Sequence, residues 1–74
     1  MEDVIARIEA GLTPAQRRFM VAGKEGWNVD RRVARGLNGK GLMGIAGYVL
    51  GFEVYAFTKI GLAVHKRLAA EAAQ

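Results

Sequence analysis

A chain of 74 residues without cysteine has room for one small domain and excludes disulfide and thiolate chemistry. Eleven Lys and Arg against seven Asp and Glu leave a net charge of +4, which favours acidic partners. A chain this short buries only about 60% of its unfolded surface, so its core is economical or is completed by a partner such as a second copy.

The first residues, Met1-Glu2-Asp3, are acidic where a secretory leader is basic, and Arg7 and Glu9 interrupt Val4 to Ala10, so a cytoplasmic protein is expected. Val4, Ile5 and Ile8 recur at helical spacing, with Glu2 and Asp3 in the first turn, where acids complement the helix dipole. Gly11 is the expected left-handed cap of this N-terminal helix, residues 1–11. Thr13-Pro14-Ala15-Gln16 then combines a capping hydroxyl, a proline suited to the first helical position, and a glutamine able to reach back as in a capping box. The second helix carries Ala15, Phe19 and Ala22 on one face with Met20 beside them, leaves Arg17 and Arg18 toward solvent, and closes at Gly23.

After a glycine-broken loop, Asn28 offers an N-cap with Asp30 in the first turn. Val29, Val33 and Leu37 recur every four residues, which turns Arg31, Arg35 and Asn38 outward with Arg32 alongside. Gly39 and Gly41 end this third helix. The stretch Gly41 to Phe52 is uncharged and glycine-punctuated, and Glu53 to Phe57 is rich in strand formers. Glycine costs about 1 kcal/mol relative to alanine in a helix, so 41–57 reads as a β-hairpin turning between Gly47 and Gly51. Thr58 caps a last helix, Lys59 to about Glu71 within 58–74, with Ile60, Ala63, Val64 and Leu68 inward, Lys66 and Arg67 outward, and a frayed Ala-Ala-Gln end. The fold class is mainly α with a small two-stranded hairpin, in one domain spanning 1–74.

Charge is concentrated in the middle. Arg17, Arg18, Lys24, Arg31, Arg32, Arg35 and Lys40 face only Glu25 and Asp30 across that third of the chain. Such a concentration fits a phosphate backbone; the plainer use is a solvated face, with Arg32 paired to Asp30 or Glu25.

Two strings carry a family likeness. Arg32-Val33-Ala34-Arg35-Gly36-Leu37-Asn38-Gly39-Lys40-Gly41-Leu42 resembles the end of a recognition helix entering a first wing strand, often "L-x-x-K/R-G-L". Tyr55-Ala56-Phe57-Thr58-Lys59-Ile60-Gly61 is similar to the "Y-x-L-T-x-x-G" that joins the second wing strand to the final helix in MarR- and PadR-type regulators. The chain thus resembles the winged helix-turn-helix domains of bacterial and phage regulators over residues 12 to 70. The resemblance implies a DNA-binding region at 12–40 and a wing at 41–57. In that setting, Arg31 and Arg35 read bases or phosphates, Asn38 pairs with an adenine, and Lys40, Arg17 and Arg18 hold the backbone. The chain departs from the pattern in two places. There is little room for a separate support helix before Asn28, and Leu42 to Phe52 holds no basic residue for DNA.

Two functions therefore stand side by side. One is a small regulator that binds double-stranded DNA through helix 28–39 and dimerises through apolar surface. The other is a protein-interaction module, for instance a phage-encoded inhibitor, that uses Tyr48, Leu50 and Phe52 on the wing as anchors. The twelve uncharged residues from Gly41 to Phe52 fall short of the roughly 20 that span a bilayer, Gly47 to Gly51 notwithstanding, so a membrane partner is not expected. His65 has no second ligand at metal spacing and reads as surface or interface; Trp27 reads as a core lid or partner anchor. Serine is absent, the carboxylates are unpaired, and no phosphate loop is present, so neither catalysis, a metal nor a cofactor is expected.

Overall fold

The computed structural model describes residues 2–73; Met1, Gln74 and the side chain of Glu2, with the expectations that fall on them, lie outside the described residues. The order is α1 (Glu2–Ala10), α2 (Pro14–Ala22), α3 (Arg31–Gly39), β1 (Met43–Val49), β2 (Phe52–Phe57) and α4 (Lys59–Ala72). The fold is mainly α with one antiparallel hairpin.

Local chemistry accounts for most of the boundaries. The Thr13 hydroxyl accepts from the Gln16 backbone N–H at 3.1 Å while the Gln16 carbonyl oxygen Oε1 accepts from the Thr13 N–H at 3.0 Å, which completes the capping box of α2. Gly23, at φ 69°, closes that helix in the left-handed region. Gly11 does not do the same for α1: its φ is not positive, and its N–H simply continues to the Arg7 and Ile8 carbonyls. The third helix starts two residues later than its sequence suggests, because Asp30 rather than Asn28 is the cap. The Asp30 carboxylate accepts from the Arg32 and Val33 N–H groups at 3.0 and 3.3 Å, while Gly26 is drawn into a backbone bridge with Tyr55 and residues 27–29 bend rather than coil into the helix. At the other end the Leu42 N–H reaches the Leu37 carbonyl and the Gly41 N–H reaches Asn38, with Gly41 at φ 77°. These are the two bonds of a Schellman motif.

The hairpin turns at Leu50-Gly51, with φ values of 51° and 81°, the type I′ pattern whose twist matches that of the strands. Ala46 is an extra residue in β1, a bulge between the pairs Ile45–Tyr55 and Gly47–Val54. An isolated two-stranded hairpin is marginal in water. This one is stitched to its surroundings at its base: Asn38 Nδ2 donates to the Met43 carbonyl at 3.1 Å, the Phe57 N–H to Glu25 Oε2 at 2.8 Å, the Thr58 hydroxyl to the Gly41 carbonyl at 2.7 Å, and the Thr58 N–H to the Leu42 carbonyl at 3.1 Å.

One core joins every element: Ile5, Met20, Ala34, Leu37, Leu42, Met43, Tyr55, Val64 and Leu68. Several side chains sit differently from the sequence expectation. On α2 it is Met20 that is fully buried, whereas Ala15 and Ala22 are exposed; on α3, Ala34 joins Leu37 inside and Val33 is half-buried, as is Val29 ahead of the cap. On α4, Ile60 is exposed, and Arg67 turns inward to lie 3.2 Å from the buried Glu9 carboxylate, an ion pair without hydrogen-bond geometry. His65 is half-buried rather than on the surface, stacked on Phe57 at 5.6 Å and 2.6 Å by Nδ1 from the Met20 carbonyl, which can only accept.

The tightest backbone contact at any glycine is at Gly61, in the first turn of α4. A Cβ there would drive into the carbonyl of Leu42. Gly61→Ala should cost at least about 3 kcal/mol, the upper end for an overpacked site, seen as a lower urea midpoint with an unchanged slope; near-wild-type stability would show that α4 does not depend on this contact.

Candidate functional site

The basic residues are arranged by α3. Leu37 and Ala34 point into the core, and at roughly 100° per residue Arg32 stands about 140° and 160° away from them, in the middle of the face left to solvent. Gly36 lies toward α2, where the Gln16 amide closes over it. Arg31, Arg35 and Asn38 fall on the opposite flank, toward the hairpin, and each has a partner there. The Arg31 guanidinium lies 4.0 Å over the ring of Phe52; Arg35 Nη2 is 3.4 Å from Glu53 Oε1; Asn38 gives its amide N–H to Met43. The expectation that Arg31, Arg35 and Asn38 form a free outer face is therefore corrected. Arg35 and Asn38 are exposed, as expected, and Arg31 is half-buried, but all three are engaged with β2 or β1, which leaves Arg32 as the outward residue of α3 without a partner.

The carboxylates that stand close to Arg32 in sequence are spent on backbone. Asp30 caps α3 and Glu25 accepts from Phe57, so neither pairs with the Arg32 side chain, and among the described residues Arg17, Arg18 and Arg32 have no acidic partner. Lys40 donates to the Gly11 carbonyl at 3.2 Å, which ties the end of α3 to the turn before α2. Arg17 and Arg18 are exposed on α2 next to Gln16, the residue that meets α3. Arg35 keeps a side-chain exposure of 66%. The Tyr55 phenol first, and then Glu53, hold its guanidinium further above its ordinary pKa, so it is cationic at any working pH.

The hairpin forms a second, apolar surface. Leu50 is 91% and Tyr48 68% exposed, joined by Ile45 and Val49. Phe52 is not a free anchor: Arg31 covers its ring, and Trp27 stacks with it at 6.3 Å and 29°. Trp27 is half-exposed, an arm of this stack and not a lid on the core. Ile45 and Val49 were not singled out as surface by the sequence, because both alternating faces of the strand are apolar and carry no inside-outside signal. Glu53 was passed over as well, although it is the one carboxylate between Asp30 and Glu71.

A groove of about 260 Å³ between α1 and α4, lined by Val4, Ile5, Lys59, Ile60 and Ala63, is smaller than usual small-molecule sites of roughly 300 Å³ upward. Among the described residues no cluster of three or more His, Asp or Glu is placed to hold a metal ion, and no helix is long and apolar enough to cross a membrane. No protein-family model, curated protein or solved structure matches the chain.

The chain has one tryptophan, so the stack can be followed optically. Phe52→Ala should shift Trp27 emission to the red and raise its quenching by acrylamide while the far-ultraviolet circular dichroism stays helical. An unchanged spectrum would mean that Trp27 and Phe52 are not stacked in solution.

Proposed function

We propose that the chain is a small nucleic-acid-binding protein, a regulator of bacterial or phage type, that lays the exposed face of α3 on double-stranded DNA. The observation that carries this reading is the set of unpaired arginines, Arg17, Arg18 and Arg32, on α2 and α3, where the neighbouring carboxylates are committed to backbone N–H groups. Nine residues of helix are about 13 Å long, which suits a major groove roughly 12 Å wide. Arg32 is then the residue best placed for a base edge or the nearest phosphate, Arg35 reaches from the hairpin side, and Arg17, Arg18 and Lys40 hold backbone phosphates. Asn38 spends one of its two amide N–H groups on the Met43 carbonyl and keeps the other N–H and its carbonyl oxygen for an adenine edge. The resemblance of residues 12 to 70 to winged helix-turn-helix regulators supports the same reading, and it is one of binding without catalysis or cofactor.

A second reading rests on the hairpin. A tip built from Tyr48, Val49 and Leu50 without a single cation suits an apolar protein surface, including that of a second copy, better than it suits DNA.

The two readings separate experimentally. Binding to a random duplex should weaken with salt at a log–log slope of about −3 to −4 if Arg17, Arg18, Arg32 and Lys40 each neutralise a phosphate, and Arg32→Ala should reduce that slope by about 1. Absence of binding at low salt would overturn the DNA reading. Under the second reading Leu50→Asp or Tyr48→Asp should turn an assembled species into a monomer in light scattering, since each puts an unpaired charge in an apolar contact; an unaltered mass would clear the hairpin of that role.

A further inference from the structure

Between residues 31 and 70 the chain carries Arg31, Arg32, Arg35, Lys40, Lys59, Lys66 and Arg67 and a single carboxylate, Glu53. Its position is set by the hairpin. Arg31 and Arg35 are one helical turn apart and so present their guanidinium groups to successive residues at the start of β2, with Phe52 under Arg31 and Glu53 beside Arg35. The carboxylate is the more enclosed partner, its side chain 25% exposed against 66% for Arg35, so the contact is held from the hairpin side and the arginine is what can leave.

Such a pair adds little to folding stability at a wet surface. Its consequence for an anionic ligand is larger. A phosphate that approaches α3 has either to displace Glu53 from Arg35 or to share the guanidinium with it, which brings two negative groups within a few ångströms on the same cation. Arg32, Arg17 and Arg18 impose no such choice.

We propose that Glu53 competes with nucleic-acid phosphate for Arg35 and thereby holds down the sequence-independent affinity of the α3 face. The inference rests on the DNA-binding reading above. It makes Glu53 a specificity-determining residue: a phosphate brings a second negative charge to Arg35, whereas the uncharged O6 and N7 acceptors of a guanine edge can share its five N–H donors with the carboxylate.

The experiment is a double-mutant cycle read by fluorescence anisotropy on a labelled random duplex over a range of salt, with wild type, Glu53→Gln, Arg35→Ala and the double variant. Circular dichroism and melting confirm that each is folded. Glu53→Gln should bind about five- to tenfold more tightly at low salt, with a salt slope steeper by about 0.9, one further phosphate contact. In the Arg35→Ala background the same substitution should give almost none of that gain. Equal affinity of wild type and Glu53→Gln would overturn the proposal while leaving DNA binding standing. An equal gain with and without Arg35 would also overturn it, by showing a diffuse charge effect. Failure of all four proteins to bind would remove the DNA-binding reading and this inference together.

Discussion

The absence of a side chain at Gly61 is the constraint on which the rest of the structure depends. It lets the first turn of α4 lie directly on the backbone of Leu42, and Leu42 is where three elements meet. Its N–H closes α3 through the Leu37 carbonyl, its own carbonyl accepts from Thr58 at the start of α4, and its side chain is fully buried. Thr58 secures the junction from the other side, accepting from the Gly61 N–H and donating to the Gly41 carbonyl. In a chain with so little core this junction helps to hold a two-stranded hairpin at a defined angle, because a hairpin alone buries too little to order itself.

With that junction in place the hairpin becomes a brace for α3. Arg31 over Phe52, Arg35 beside Glu53 and Asn38 on Met43 are three contacts along one flank of the helix, and together they determine which of its basic residues is left without a partner. The electrostatic character of the site therefore follows from packing as much as from composition. Seven cations in the middle third of the chain are sorted into some that hold the fold and some that remain free. The acids nearest to the free arginines in sequence, Asp30 and Glu25, serve as backbone acceptors and make no ion pair with them.

The hairpin tip is the part that folding does not account for. Leu50 takes a left-handed backbone conformation, which costs a non-glycine residue roughly 1 kcal/mol or more, and exposes nearly its whole side chain. An asparagine or glycine would form the same turn at lower cost and without an apolar surface. Leu50 thus combines two features that the stability of the sheet does not explain.

What the sequence determined by itself was the kind and order of the elements, because their signals are carried within a few residues of one another: Thr13 with Gln16, Gly23 as a left-handed cap, the Gly39 to Gly41 stop, the turn before Phe52, and Thr58 ahead of α4. It also located the basic concentration, since composition is additive along the chain. It did not determine which faces these elements present. Asp30 rather than Asn28 begins α3 because Gly26 is held by Tyr55; Arg35 is occupied by Glu53 eighteen residues away; His65 is drawn in by the Met20 carbonyl across forty-five. Each of these was decided by partners brought together only when the hairpin and α4 close on Leu42. Helical periodicity states which residues share a face, but tertiary contact alone chooses which face is covered.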